Sequence, residues 1–418
     1  MRWASSRGVE RAILPGMFPR TATADAARLV ATRGARGFAD GLASVLLASY
    51  LSRLGFTPLQ IGAIVTATLL GSAGLMLAIG LAGHRWPRRS VLLGASVLML
   101  LTGLGFTAAT GFWPLLVVAF VGTLNPSSGD VTLFLPTEQA VLSEAVAPAE
   151  RTGLFAWYNL AGAFAGALGA LASGGPARLA QSWHIEVAQA ERLGFLVYGF
   201  FGALSAFAYR KLSRAVEPRP PPGSAPLARS RGVVLQLAAL FSLDSFGGGF
   251  VVQSLLALWL FRRFAVPVAT AAAIFFAVNL LGAVSQLAAA RLTARIGHVR
   301  AMVYTHLPSS LFLILAGVMP TLPLAAFFLF LRSALSSMDV PARQAYVMAM
   351  VPREERAAAA SVTNVPRSLA AAVAPLIAGW LLQKSSFGWP LVCAGLLKVT
   401  YDVLLFARFA HRPPAEAG

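Results

Sequence analysis

Of the 418 residues, 57% are hydrophobic and only 12% charged, more apolar side chain than a water-soluble fold can bury. The period-2 alternation of an outer-membrane barrel is absent, so the predicted fold is all-α and integral to a membrane, built from helices of roughly 20 apolar residues each. A net charge of +18 would suit nucleic acid in a soluble protein, but here the aromatic residues sit in apolar runs and do not interleave with the arginines, which argues against a nucleic-acid surface.

Residues 1–34 carry Arg2, Arg7, Arg11, Arg20, Arg28 and Arg33 without an apolar core long enough for a signal peptide, and are read as a poorly ordered cytoplasmic tail in which Met17 offers a second start. Residues 35–210 form a first six-helix bundle, with spans at about 36–51, 59–83, 91–110, 113–135, 152–173 and 193–209. Residues 211–231 contain Glu217-Pro218-Arg219-Pro220-Pro221-Pro222-Gly223, a proline-rich linker. Residues 232–410 form a second six-helix bundle, with spans at about 233–261, 267–290, 299–319, 321–340, 357–382 and 388–407, and residues 411–418 are a second cytoplasmic tail. Twelve transmembrane helices are therefore expected, with both termini on one side. Arg53, Arg178, Arg192, Arg262, Arg263 and Lys384 fall on the other side, Arg332, Arg367 and Lys398 fall within spans, and the remaining basic residues make the terminal side cytoplasmic.

The two halves are related by a repeat. Pro136-Thr137-Glu138-Gln139-Ala140, followed by Glu150-Arg151 and Asn159, recurs 205 residues later as Pro341-Ala342-Arg343-Gln344-Ala345, Glu355-Arg356 and Asn364. Each copy is a short polar joint between two apolar runs, and a duplicated unit of this kind is how many secondary transporters are built. Its charged residues are expected to cap helices and bridge the halves on the cytoplasmic side.

Gly80-Leu81-Ala82-Gly83-His84-Arg85-Trp86-Pro87-Arg88-Arg89 resembles the loop between the second and third helices of the major facilitator superfamily, and Ala290 through Ala294-Arg295-Ile296-Gly297-His298-Val299-Arg300 is a worn second copy. The resemblance implies two pseudo-symmetric six-helix bundles that alternate access to a site between them. It also implies a cytoplasmic gate, carried here by Gly80, His84, Arg85, Arg88, Arg89, Asp130, Glu138 and Arg151 in the first half and by Arg295, Asp339, Arg343 and Arg356 in the second. His84 and Ala294 stand where the family has an acid, which puts the strength of that latch in doubt. The helix-four arginine and the helix-five glycine and proline pattern of the family's drug/proton antiporters are not clear.

Charged groups deep in a bilayer are costly and are functional candidates by default. Asp244, Arg332, Arg367 and Lys398 fall near mid-depth, Asp40 somewhat nearer the inside, and Asp130 and Asp339 near inner helix ends. By the family arrangement Asp40, Asp244, Arg332 and Arg367 face the central path. Asp244, or second to it Asp40, is the expected proton-coupling carboxylate. Arg332 and Arg367 are its expected counter-ions or an anion clamp. Asn159, Asn364, Asn125 and Gln253 are candidate substrate contacts that can equally bond between helices. Lys398 and Asp402, spaced by four on the last helix, are read as a local pair on one helical face.

The expected function is proton-coupled secondary transport of a small solute, an organic anion in outward direction, with a hydrophobic-drug/proton antiporter or a non-transporting sensor as alternatives. The histidines His84, His184, His298, His306 and His411 are scattered, no zinc spacing or nucleotide loop occurs, and neither enzyme activity, cofactor nor metal is expected. Cys393 is the single cysteine and cannot form an internal disulfide. The expected partners are substrate, protons and lipid, around a monomer in a bacterial inner membrane.

Overall fold

The computed structural model describes residues 22–82, 86–127, 133–146, 151–217, 230–339, 342–343, 346–347, 350–352 and 355–410, and these contain helices and turns but no strand. In chain order the helices are α1 (Ala24–Arg53), α2 (Pro58–Ala82), α3 (Arg88–Ala108), α4 (Phe112–Val121), α5 (Leu135–Glu144), α6 (Arg151–Ala172), α7 (Gly175–Trp183), α8 (Val187–Arg210), α9 (Arg231–Gly249), α10 (Gln253–Phe264), α11 (Val268–Ile296), α12 (His298–Val318), α13 (Leu322–Ser336), α14 (Arg356–Lys384) and α15 (Trp389–Phe409). Nine helices among the described residues are long and apolar enough to cross a membrane; α4 and α13 are shorter apolar helices.

Helix α1 begins inside the stretch expected to be a disordered tail. The Thr23 hydroxyl accepts from the Ala26 amide at 3.2 Å and Asp25 stands in the first turn, so a capped start replaces the expected one near residue 36. From Ala39 to Leu51 every residue of α1 is buried, because α6, α8 and α10 pack around it, and Arg36 one turn earlier is buried too. A helix enclosed on all sides can carry polar groups without exposing them to lipid, which is how Arg36, Asp40 and Ser44 are tolerated.

Two spans expected to be continuous are broken. Helix α4 stops at Val121, and Asn125-Pro126 follows unwound, since Pro126 has no amide hydrogen and its ring disfavours a helical residue before it. The freed groups find partners: the Thr123 amide donates to Thr102 Oγ1 at 3.1 Å and Tyr198 Oη donates to the Thr123 carbonyl at 2.8 Å. Helix α9 stops at Gly247-Gly248-Gly249. A Cβ on Gly249 would lie 2.2 Å from the Ala371 carbonyl oxygen, so glycine admits α14 at backbone contact there. The two breaks meet, with the Ser254 amide donating to the Pro126 carbonyl at 3.1 Å.

Within the first half α1 packs on α6 and α8, and α3 on α8; in the second, α9 packs on α14 and α15, and α12 on α13 and α15. Across the halves α2 packs on α14, α6 on α11 and α10 on α1. The closest of these approaches is at Gly62 and Gly379, where an added Cβ would come within 2.5 Å of the Pro375 and Pro58 carbonyl oxygens respectively. Nearby the Leu59 amide donates to Gln383 Oε1 at 3.3 Å. This junction lies at the end of the bundle opposite Ala24 of α1 and Phe409 of α15.

Candidate functional site

Helix α9 turns one face toward α12 and α15, and that face carries Asp244. Its carboxylate receives Lys398 Nζ from α15 at 2.6 Å on Oδ1 and Arg343 Nη1 at 2.9 Å on Oδ2, with His306 Nε2 from α12 at 3.4 Å. Arg343 also reaches Asp339 Oδ2 at 3.3 Å, and its guanidinium stacks over the Phe241 ring one turn before Asp244. On its other edge His306 Nδ1 lies 3.0 Å from both oxygens of Asp402. All six residues are at most 8% exposed. A cluster like this is tolerated away from water only because each charge has an opposite neighbour.

A cavity of about 160 Å³ opens beside this cluster, lined by Asp244, His306, Ser309, Ser310, Arg332, Ser336, Asp339, Arg343 and Lys398. All nine belong to the second half, so the cavity lies within that bundle and not between the two. Asp244, His306 and Asp339 each offer a ligand atom within 4.8 Å of one another. Lys398 and Arg343 already occupy those carboxylate oxygens, and their charge opposes a metal ion at the same place.

The first half holds its own buried pair. Arg36 forks onto Glu138, Nη1 to Oε1 at 3.0 Å and Nη2 to Oε2, and also donates to Tyr209 Oη. Glu138 accepts from Tyr209 at 2.6 Å and from Tyr158 at 2.5 Å, and the Phe134 ring lies 4.0 Å beneath the guanidinium. Asp40 is buried next to the Arg33 and Arg36 charges and hydrogen-bonds Asn125 of the unwound segment. Glu138 and Arg343 stand 205 residues apart, at equivalent places in the repeat. Each reaches the first helix of its own half, yet with the sign of the pair reversed.

The predicted residues therefore divide. Asp244, Arg332, Asp339 and Arg343 come together in the second half, while Asp40 and Asn125 form a separate site in the first. Arg343, Asp339 and Glu138, three of the gate candidates, are buried, with Arg343 and Glu138 each bonded to the first helix of its own half and Asp339 to Arg343. Arg88 holds Glu144 at 2.8 Å and the Val216 carbonyl at 3.2 Å, and Arg89 donates to the Arg210 carbonyl, so this loop clasps its own half. Arg295 is exposed at the end of α11. His84, Arg85 and Asp130, and the side chains of Arg151 and Arg356, lie outside the described residues, as does any detail at Gly80 beyond its helical backbone. Gln253 donates to Ser44 at 2.8 Å, a buried bond joining the halves.

Lys398 and Asp402, expected to pair locally with each other on one helical face, instead each pair with a residue of another helix. Both side chains are buried, Lys398 on Asp244 and Asp402 on His306. The four-residue spacing does put both on one face, but that face is turned inward. His306, which among the described residues joins the two carboxylates, is not among the expected site residues, although an ionisable side chain inside the expected span 299–319 is itself a signal.

Asn159 and Asn364 are exposed, and their surroundings repeat. On α6 the exposed apolar residues Phe164, Leu168 and Leu171 stand about 120–180° round the helix from Asn159, at about 100° per residue. Leu369, Val373 and Leu376 stand at the same offsets from Asn364 on α14. An exposed amide opposite an apolar lipid-facing stripe is turned toward the interior of the assembly. One turn from Asn364, the half-buried Arg367 donates Nε to Ser245 Oγ at 2.8 Å and approaches Asn364 Oδ1 at 3.5 Å.

The family profile of the Major Facilitator Superfamily matches residues 29–305 and 237–418. The chain belongs to that superfamily. Among solved structures, this superfamily member is similar to the D-xylose-proton symporter, with a TM-score of 0.72 and 15% identity, covering 94% of this chain and 99% of that one. The nucleoside transporter NupG gives a TM-score of 0.68 at 13% identity, over 93% and 100% of the two chains. A bacterial homolog to the human lysosomal transporter Spinster, in an inward-facing and unoccupied conformation, gives 0.67 at 16% identity over 97% and 96%. Among curated sequences, the uncharacterized membrane protein YJR124C of Saccharomyces cerevisiae is 26% identical over 404 residues, 88% of this chain and 90% of its own. The superfamily member is thus a multi-pass membrane transporter and not an enzyme.

Proposed function

We propose that this transporter carries a small organic anion together with a proton, by alternating access between the bundles 35–210 and 232–410 across twelve spans with both termini cytoplasmic. The observation that carries this reading is a surplus of guanidinium. Arg367 has no carboxylate within ion-pair distance among the described residues, and its Nε rests on Ser245, the residue after Asp244. Arg367, Asn364 and Asn159 supply a cation and two amides toward the space between the halves, the donor set that suits a carboxylate or phosphate group.

Coupling follows from adjacency. Arg367 bonds Ser245, the neighbour of Asp244 on α9, so an anion held by Arg367 repels the ionised form of Asp244. Anion and proton then bind more readily together than apart. Such co-binding is symport, inward under an inward proton gradient. The outward direction expected from sequence needs instead a substrate that competes with the proton, as a hydrophobic cation at Asp244 would. The tight junction at Gly62 and Gly379, opposite the start of α1 and the end of α15, supports a resting state open toward the cytoplasm.

The test uses reconstituted vesicles loaded with a pH-sensitive dye and a panel of mono- and dicarboxylates, phosphate esters and lipophilic cations. Acidification of the lumen when an anion is added outside supports symport; alkalinisation with a lipophilic cation supports the drug antiporter. Replacing Asp244 by Asn is expected to leave exchange of substrate across the membrane while abolishing its accumulation against a gradient. Unchanged proton movement in that variant refutes Asp244 as the coupling group, and absence of flux for every compound favours a non-transporting role.

A further inference from the structure

The cavity of the second half has a feature that substrate transport between the halves does not use. Both ring nitrogens of His306 face carboxylates, Nδ1 toward Asp402 at 3.0 Å and Nε2 toward Asp244 at 3.4 Å. An imidazolium satisfies both contacts, and a neutral ring only one. Of the cations that line the cavity, Lys398 is paired with Asp244 and Arg343 with Asp244 and Asp339, while Arg332 has no carboxylate within ion-pair distance among the described residues.

Arg332 is not alone in having unspent donors. Among the described residues neither its guanidinium nor the hydroxyls of Ser309 and Ser336 make a hydrogen bond to the protein, whereas Ser310 donates to the His306 carbonyl at 2.9 Å. Ser336 stands one turn after Arg332 on the same face of α13, and Ser309 opposes them from α12. Their shared space of about 160 Å³ is many times what a single water needs.

We propose that this cavity is a binding site for a small inorganic anion of chloride size, held by Arg332 with the hydroxyls of Ser309 and Ser336, which gives the Arg332 guanidinium its counter-charge. Asp244 and Asp339 share the cavity and repel an anion from their own side, but Lys398 and Arg343 cover their oxygens, so the ion sits at the Arg332 end. The site is separate from the organic-anion path at Arg367.

Thermal unfolding of the purified transporter in detergent tests this without any transport measurement, in sodium chloride against sodium gluconate at matched ionic strength. A ligand bound only to the folded state raises the melting temperature along a saturating curve. The wild type is expected to follow such a curve in chloride and stay flat in gluconate. Arg332→Gln, losing a charged hydrogen-bond donor, is expected to move the half-saturating chloride concentration up by about tenfold or more. Should that variant not fold, the Ser309→Ala and Ser336→Ala double variant is expected to shift the curve in the same sense. Bromide in place of chloride should give an anomalous peak beside Arg332 in crystals. Identical melting in chloride and gluconate, or a chloride response undiminished in both variants, overturns the proposal.

Discussion

Lys398 offers a sharp test of how the second half is held together, because two readings of it differ about tenfold in energy. As half of a local i,i+4 pair with Asp402 on one helix, it would contribute about 0.3–0.5 kcal/mol. In the structure it is only 8% exposed, its ammonium is 2.6 Å from Asp244 Oδ1, and it also reaches the Asp244 backbone carbonyl at 3.4 Å. Replacing Lys398 by Met keeps much of the stem and removes the charge. Asp244 then retains Arg343 and His306, so the loss should fall near the lower end of the range for breaking a buried pair, about 3 kcal/mol. Unfolding of the detergent-solubilised protein by a denaturing detergent, followed by tryptophan fluorescence, measures it. A double-mutant cycle isolates the partner: coupling of Lys398→Met with Asp244→Asn should exceed about 1 kcal/mol, and coupling with Asp402→Asn should be several times smaller. A Lys398→Met cost below about 1 kcal/mol, or the larger coupling to Asp402, would refute the placement of this helix.

Further outcomes follow from the same geometry. In the first half, Arg36→Leu or Glu138→Leu alone should each cost about 3–5 kcal/mol, while the double variant, which leaves no unpaired charge, should recover much of that; additive losses would contradict the buried pair. Gly379→Val cannot be accommodated at the 2.5 Å approach to Pro58, so spin labels near residues 59 and 383 should separate, and an unchanged distance distribution would count against the tight junction. Arg367→Gln is expected to raise the half-saturating concentration of an anionic substrate by about tenfold in vesicle flux, with maximal rate less affected. An equal loss of affinity for neutral compounds would place Arg367 outside the substrate contact.

Sequence alone determined that this is a helical membrane protein built from two related halves, and the superfamily was readable from the Gly80–Arg89 loop. Those conclusions rest on hydropathy and on a repeat, which are local properties of the chain. It also picked out Asp244, Arg332 and Arg367, because a charge in an apolar run is conspicuous wherever the helix goes. His306 also stands in an apolar run and was open to the same argument, but that it bridges Asp244 and Asp402 could not be read until its neighbours were known. Nor could sequence show that Lys398 and Asp402 point inward, or that Arg343 and Glu138 brace their bundles with opposite polarity. Those facts depend on the rotation of each helix about its axis and on which helix lies beside it. Rotation and neighbourhood are fixed by packing between segments far apart in the chain, such as Gly249 against Ala371, and no single segment contains them.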